Sequence, residues 1–234
     1  YYFDVLAKDP AYGCRIRYLA ANLDADTAPL AQGGDAACVF VNADCSAPVL
    51  EILEQMGCTV ERARDAVAIS RFGALRGAGN VHTAPYPGLA TDAAPLLAAV
   101  MVCAHSGSSV EDVIFERRFG CAEGFAAMGA RVRVRGRQLS VQPGGVLRGA
   151  EVAAPDLRGG AALVVAALAA SGTSVIGHPE HIDRGYAAFT EILASLGAQI
   201  RREERSQNPS AKKTSSKKQN HLAIGTKRWY NTVI

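Results

Sequence analysis

Three arginines and one aspartate have the residue types and placement of an anion-binding site. Arg118, Arg158 and Arg184 each lie at or near the predicted start of a helix, where a cation opposes the helix dipole at a cost of up to about 1 kcal/mol. A bound phosphate or carboxylate would offset that cost, because helix N-termini and convergent arginines both favour such anions. Asp92 would be the carboxylate among them, able to orient or deprotonate a substrate hydroxyl.

A structural role is the alternative interpretation of each arginine. Every one has an acidic neighbour with which it could form a salt bridge. The neighbours are Glu116, Asp156 and Asp183. We favour the anion site because the arginines occupy related points of a sequence repeat, and packing of the repeated units would bring those points to the same end of the domain.

Asp92 ends a stretch, residues 81–92, that has the composition of a rigid loop leading into a helix. Its sequence is V-H-T-A-P-Y-P-G-L-A-T-D, and the two prolines predict an extended, stiff backbone over residues 84–88. Thr91 is a suitable N-cap for a helix predicted over residues 93–104, and the helix dipole favours Asp92 in the first turn. Taken alone, the stretch could be only a loop and a cap.

The predicted elements repeat with a period near 70 residues. Three helices with apolar residues at spacings of three and four end at Gly57, Gly129 and Gly197, which are 72 and 68 residues apart. A short strand is predicted before each of these helices, and further strands follow. One unit is therefore helix, strand, helix, strand, strand, which indicates an α/β domain with a period unlike that of classical solenoids.

Three regions are predicted along the chain. Residues 1–32 match the repeat poorly, residues 33–204 form the repeat domain, and the last unit is expected to stop early, leaving residues 205–234 as a disordered basic tail. Seven of the 25 Lys and Arg residues lie in this tail, which has no acid, so the first 204 residues carry 18 basic and 22 acidic side chains. Aromatic residues in the tail are limited to Trp229 and Tyr230, which argues against nucleic-acid binding.

Composition excludes several other classes. The 234 residues are 49% hydrophobic and 20% charged, as in globular proteins, and the longest apolar runs fall short of the roughly 20 residues that a membrane span requires. The six cysteines and five histidines lack metal-site or disulfide spacing, so we expect a reducing cytoplasm and no metal. The glycine pairs lack a dinucleotide-binding context, and no cofactor is predicted. The first residues do not resemble a signal peptide and suggest an internal start.

Four ordered motifs carry a resemblance to a known family. They are residues 84–92 (A-P-Y-P-G-L-A-T-D), 114–119 (I-F-E-R-R-F), 156–158 (D-L-R) and 181–186 (H-I-D-R-G-Y). They resemble the motifs of UDP-N-acetylglucosamine enolpyruvyl transferase (the 1-carboxyvinyltransferase), and the similarity runs from about Phe40 to Glu204, roughly 70% of the chain. The sister family, enolpyruvylshikimate-phosphate synthase, shares the fold but matches these motifs less.

The resemblance implies a fold, a reaction and residue roles. The fold is an inside-out α/β barrel domain of βαβαββ-type repeats with helices inward, one of two such domains in the family. The reaction transfers enolpyruvyl from phosphoenolpyruvate to the 3-hydroxyl of UDP-N-acetylglucosamine, for peptidoglycan synthesis. Asp92 would bind that hydroxyl and act as general base, while Thr91 and Ile114 would bind substrate, Ile114 through its backbone. The residues implied to hold the phosphate and carboxylate of phosphoenolpyruvate are Arg118, Arg158 and Arg184.

The family's companion domain has no counterpart in this sequence. That domain carries a reactive cysteine on a mobile loop and a phosphate-binding lysine, and none of the six cysteines here lies in such a motif. We therefore expect a fragment with one wall of the active-site cleft, inactive without the companion domain. Two alternatives remain open: a transferase like enolpyruvylshikimate-phosphate synthase, and a non-catalytic remnant or binding module with the same fold.

Overall fold

A computed structural model describes most of the chain. The described residues are 35–39, 43–62, 67–71, 73–195, 198–206 and 218–225. The predictions for residues 1–32 and for Gly197 lie outside these ranges, so they stay predictions.

The described residues form three consecutive units of helices and strands. The first contains β1 (Asp35–Val39), α1 (Ala43–Gln55), β2 (Cys58–Arg62) and β3 (Val67–Arg71). The second contains β4 (Gly79–His82), a 3-10 turn (Thr91–Ala93), α2 (Ala94–Met101), β5 (Ser108–Glu111), α3 (Ala122–Ala127), β6 (Arg131–Arg135) and β7 (Gln138–Gln142). The third contains β8 (Glu151–Ala153), α4 (Leu157–Ala169), β9 (Thr173–Gly177), α5 (Glu180–Asp183), α6 (Phe189–Ser195), β10 (Gln199–Ser206) and β11 (Lys218–Gly225).

The sheets of the second and third units have the same topology, and the sheet of the first unit matches part of it. The second unit has strand order β4-β5-β7-β6 and the third has the equivalent order β8-β9-β11-β10. In both, the first two strands are parallel and the others antiparallel. The first unit has β1-β3-β2, which corresponds to the last three strands of the others. The repeat inferred from the sequence is therefore confirmed. Gly57 and Gly129 both have φ of +96° just after α1 and α3, a conformation that favours glycine.

The helices lie on the inside of the described structure. Helix α4 is buried along most of its length, and α2 packs against it, with every α2 residue but Leu96 buried. Helix α3 also approaches α4 closely, because a Cβ on Gly124 would lie only 2.5 Å from Leu163 Cδ2. The α/β architecture with inward helices is confirmed, and the described residues form no closed barrel.

The predicted disordered tail is wrong for residues 218–225. These residues form β11, which lies between β9 and β10 in the third sheet. Leu222 and Ile224 are almost completely buried, and their burial stabilises the sheet against the core. The third unit therefore does not stop early and continues to Gly225, past the predicted boundary at residue 204. Residues 207–217 and 226–234 lie outside the described ranges.

The loop before α2 also differs from its prediction. Residues 85–88 form a turn in which Gly88 N donates to Pro85 O at 2.8 Å, so the prediction of an extended backbone is wrong there. Thr91 begins the 3-10 turn and does not cap a helix with its side chain. Helix α2 starts at Ala94 with Pro95 in its first turn, and it ends at Met101, three residues before the predicted end.

Candidate active site

The predicted catalytic residues line one pocket. Asp92 lies in the 3-10 turn before α2, Arg118 follows β5, Arg158 lies in the first turn of α4, and Arg184 follows α5. Together with Asp156 and Leu157 they surround a pocket of about 370 Å³. Segments from the second and third units thus meet around one pocket, in agreement with the convergence that the repeat predicted.

Asp92 is paired with two of the arginines. Its Oδ2 accepts from Arg158 Nη2 at 3.0 Å, and its Oδ1 accepts from Arg118 Nη2 at 3.4 Å. The carboxylate side chain is 48% exposed, whereas the side chains of Arg118 and Arg158 are 13% and 9% exposed. The guanidinium groups are therefore fixed in the protein, and the Asp92 carboxylate paired with them is accessible from the pocket.

Arg158 is further held by an aromatic residue of the third unit. Its Nη1 donates to Tyr186 Oη at 2.8 Å, and its guanidinium carbon lies 5.2 Å from the centre of the Tyr186 ring. Burial acts to lower the pKa of Arg158, but the contacts with Tyr186 and Asp92 outweigh it, so the pKa is raised. Burial is also the main reason that the pKa of Tyr186 is raised, so the phenol stays a neutral partner.

In the described structure, the acidic neighbours of the three arginines hydrogen-bond to other groups. Asp156 caps α4 by accepting from Gly159 N at 2.7 Å. Glu116 accepts from Arg137 Nη2 at 3.0 Å, and Asp183 accepts from Arg202 Nη1 at 2.9 Å. Each acidic neighbour therefore has another partner.

Arg184 occupies a different place from the predicted one. It follows the four-residue helix α5, and α6 begins only at Phe189, so Arg184 does not lie at a helix start. Its side chain is exposed, and it has no ion pair within the described ranges. Of the three arginines, Arg158 alone is in the first turn of a helix, so the argument from the helix dipole applies to that residue.

Thr91 and Ile114 lie beside the pocket and contact a residue that sequence reasoning missed, Asp112. Thr91 Oγ1 donates to Asp112 Oδ2 and accepts from Arg118 Nε at 3.1 Å. Ile114 N donates to Asp112 Oδ1 at 2.8 Å, so this amide is already occupied. The available signal was an acid within the run V-E-D-V-I-F directly after a predicted strand, a weak pattern without knowledge of its partners.

Two buried cysteines of the described structure are poorly suited to act as nucleophiles. Burial raises the pKa of the Cys103 thiol to about 11 and that of Cys121 to about 12, the opposite of what a nucleophilic thiolate requires. Among the described residues, no group of three or more His, Cys, Asp or Glu side chains could bind a metal ion. None of the described helices has the length and apolar character to cross a membrane.

Comparison with known proteins gives the family. The sequence model described as EPSP synthase (3-phosphoshikimate 1-carboxyvinyltransferase) matches residues 39–193, which include Asp92, Arg118, Arg158 and Arg184. The chain belongs to the EPSP synthase family. This family assignment confirms the resemblance found in the sequence and the expectation of a carboxyvinyltransferase relationship.

Several known proteins are similar to the chain in sequence or structure. UDP-N-acetylglucosamine 1-carboxyvinyltransferase 2 of Caldanaerobacter subterraneus subsp. tengcongensis is 39% identical over 153 residues, 65% of this chain and 37% of that protein. UDP-N-acetylglucosamine 1-carboxyvinyltransferase of Rhodopseudomonas palustris is 34% identical over 194 residues, 82% of this chain and 45% of that protein. The crystal structure of the enolpyruvyl transferase NikO from Streptomyces tendae has a TM-score of 0.60 and 33% identity, covering 66% of this chain and 36% of that one. The chain thus spans less than half of these relatives.

Proposed function

We propose that residues 35–225 provide one wall of the active site of an enolpyruvyl transferase that uses phosphoenolpyruvate and UDP-N-acetylglucosamine in peptidoglycan synthesis. The observation that carries the proposal is the pairing of Asp92 with Arg118 and Arg158 in a pocket that Arg184 also lines. The names of the relatives at 34–39% identity support the choice of sugar acceptor.

The arrangement of charge suits phosphoenolpyruvate. That substrate carries a phosphate and a carboxylate, and three guanidinium groups can bind both through charge-assisted hydrogen bonds. In the structure described here, two of these cations are paired with Asp92. The substrate anions would therefore take the place of Asp92 as partners of Arg118 and Arg158, and the carboxylate would be released toward the acceptor.

Asp92 would then act on the acceptor hydroxyl. It would bind the 3-hydroxyl of the sugar and take its proton as the sugar oxygen bonds to C2 of phosphoenolpyruvate and C3 takes up a proton. In the subsequent elimination, C3 would lose a proton, the bond from C2 to the phosphate oxygen would break, and phosphate would leave as the double bond re-forms. The cations of Arg118, Arg158 and Arg184 would stabilise the negative charge on the phosphate and carboxylate throughout. Thr91 keeps its proposed role beside the acceptor, while Ile114 would contact it through a group other than its occupied amide.

A companion domain would supply the opposite wall of the cleft. We base this on the fraction of the relatives that the chain spans, which is 37% and 45% for the two relatives described above. The 234-residue polypeptide alone would bind ligands weakly and would not turn over. Steady release of phosphate from both substrates by this polypeptide would contradict the requirement for a second domain.

Calorimetry with the full 234-residue chain tests the choice of acceptor. UDP-N-acetylglucosamine should give binding heat with the wild type and much less with Asp92→Ala or Arg118→Ala. Glu111→Gln is the control, because this exposed carboxylate is close in sequence but lies outside the pocket. Heat from shikimate 3-phosphate instead would favour the second candidate, which the name of the matching family model supports. Absence of heat from either acceptor and from phosphoenolpyruvate would indicate a non-catalytic remnant.

A further inference from the structure

Asp112 is a buried carboxylate with no assigned role. Its side chain is completely inaccessible to solvent, although it directly follows β5 at the edge of the site. Its backbone N donates to Arg137 O at 3.0 Å, in the turn between β6 and β7. Burying a charged carboxylate costs free energy unless its oxygens are fully hydrogen-bonded. The hydrogen-bond partners of Asp112 therefore indicate its role.

The two carboxylate oxygens of Asp112 serve different parts of the structure. Oδ1 accepts from Thr83 Oγ1 at 3.2 Å and from the amides of Ile114 and Phe115 at 2.8 and 3.0 Å. Oδ2 accepts from Thr91 Oγ1 and, at 3.1 Å, from Arg118 Nε. One oxygen therefore orders the turn after β5, and the other contacts the site.

Both oxygens act on Arg118. Oδ2 binds its Nε directly, and Oδ1 fixes the amide of Phe115, whose ring lies 4.4 Å from the guanidinium carbon of Arg118. The guanidinium is thus held at Nε and over one face, while Nη2 reaches Asp92. The end of the Arg118 guanidinium opposite Nε is then left to face the pocket that this residue lines.

Hydrogen bonding keeps Asp112 ionised. Burial acts to raise its pKa, but the bonds from Thr91, Phe115, Ile114 and Arg118 outweigh burial, and the pKa is lowered. Asp112 is therefore a charged acceptor at neutral pH, and its hydrogen bond with the Arg118 guanidinium is charge-assisted.

We propose that Asp112 is the positioning residue for Arg118, fixing its Nε edge so that its remaining nitrogens bind the anionic groups of phosphoenolpyruvate. The proposal rests on the function proposed above, in which Arg118 binds that substrate. A purely structural role, in which Asp112 only joins the turn after β5 to Thr91, is the competing explanation.

The variant Asp112→Asn separates the two roles. An asparagine can keep its carbonyl oxygen at the Oδ1 position, where it still accepts from Thr83, Ile114 and Phe115, but it places an NH₂ group against Arg118 Nε. The turn should then persist while Arg118 loses its acceptor. Glu111→Gln is the matched control, since it removes a neighbouring exposed carboxylate.

The experiment has two readouts on the full chain. In NMR spectra, the side-chain Nε–Hε signal of Arg118 should be protected from exchange in the wild type and Glu111→Gln, and should lose protection in Asp112→Asn while the Ile114 and Phe115 amides keep theirs. In calorimetric titration with phosphoenolpyruvate, Asp112→Asn should weaken binding about tenfold, the loss expected for one charge-assisted hydrogen bond. In an Arg118→Ala background the same substitution should change the affinity less than about twofold.

Three results would overturn the proposal. They are an unchanged Arg118 signal in Asp112→Asn, an unchanged affinity, and an equal loss of affinity with and without Arg118. If Asp112→Asn does not fold, Arg118→Lys decides: a single ammonium cannot contact Asp112 and span the pocket together, so full affinity in that variant would contradict the proposal. If the wild type binds no phosphoenolpyruvate, the proposed function fails, while the NMR comparison still decides whether Asp112 positions Arg118.

Discussion

Arg118 lies between two carboxylates in very different environments. Asp112 is completely buried and accepts five hydrogen bonds, from two hydroxyls, two amides and the guanidinium. Asp92 is 48% exposed, and within the described ranges its polar partners are Arg118 and Arg158. If Asp112 moved away, its four neutral donors would lose their hydrogen-bond acceptor inside the protein. Among the described residues, Asp92 is paired only with cations, so another anion can replace it.

This difference assigns separate functions to the two sides of the arginine. The buried side, around Asp112, determines where the guanidinium lies. In the proposed function, the open side, around Asp92, would determine what the guanidinium binds. A pocket lined by pre-positioned cations, with an exchangeable internal anion, is suited to a substrate that carries more than one negative charge.

The largest expected difference between variants of Asp112 and Asp92 is in the free energy of unfolding. Asp112→Ala should lower the free energy of unfolding by about 3 kcal/mol, because buried donors and the Arg118 cation lose their acceptor. Asp92→Ala should change it by no more than about 0.5 kcal/mol, since the Asp92 carboxylate is half exposed to solvent. Urea unfolding followed by circular dichroism measures both values. Equal losses in the two variants would remove the distinction between a fixed and an exchangeable carboxylate.

The stability of the protein at low pH should also show that Asp112 is held in its charged form. The pKa of Asp112 is lowered in the folded protein, so its contribution to stability is complete above its unfolded-state pKa of about 3.9 and is lost as the pH falls through the lower folded value. Stability of the wild type should therefore fall more steeply below about pH 4 than that of Asp112→Asn. Urea midpoints measured across this range check the slopes, and parallel curves would show that the carboxylate is not held in its charged form.

Tyr186 holds Arg158 as Asp112 holds Arg118, but with a neutral acceptor, so we expect a smaller effect. Arg158 Nη1 donates to the neutral Tyr186, so Tyr186→Phe should cost only about 1 kcal/mol of stability and weaken phosphoenolpyruvate binding by roughly threefold. Tyr86→Phe is the control, because the Tyr86 side chain is 81% exposed. A loss in Tyr186→Phe as large as that in Asp112→Asn would show that a neutral acceptor positions an arginine as well as a buried carboxylate.

The smallest effect should come from Glu116. It is two residues from Arg118 in sequence, yet its carboxylate pairs with Arg137 on the exposed surface. Glu116→Gln should change the free energy of unfolding by less than about 0.5 kcal/mol and leave phosphoenolpyruvate affinity unchanged. Thermal unfolding and calorimetry measure the two quantities. Weaker ligand binding in this variant would mean that proximity in sequence, and not the contacts of Asp112, governs Arg118.

The sequence was informative where one local rule determines the structure. The glycine after α1 and that after α3 adopt positive φ, and the regular spacing of such helix stops is sufficient to reveal the repeat. The repeat in turn predicts that Asp92, Arg118 and Arg158 converge, because equivalent helix ends pack together. These predictions need only short-range patterns and their period.

The predictions failed where a strand or side chain pairs with residues that are distant in the sequence. Strand β11 is built from H-L-A-I-G and flanking polar residues, and it is separated from β10 by residues 207–217, whereas β6 and β7 are joined by a two-residue turn. The polar, lysine-containing residues that precede its apolar half made this region resemble a disordered tail. Thr91 was misassigned because its hydroxyl bonds Asp112, 21 residues away, where no spacing rule applies. The same distant bond, and the bond from Thr83, were the contacts of Asp112 that the sequence could not show.

The most direct test of the central claim is a calorimetric titration of the full chain with phosphoenolpyruvate. The claim is that the arginines paired with Asp92 exchange that carboxylate for the substrate anions. Asp92→Ala should therefore bind phosphoenolpyruvate at least as tightly as the wild type, since a competing anion is removed, while Arg158→Ala should bind about tenfold more weakly or worse. Absence of binding by the wild type, or a loss in Asp92→Ala as large as that in Arg158→Ala, would contradict it.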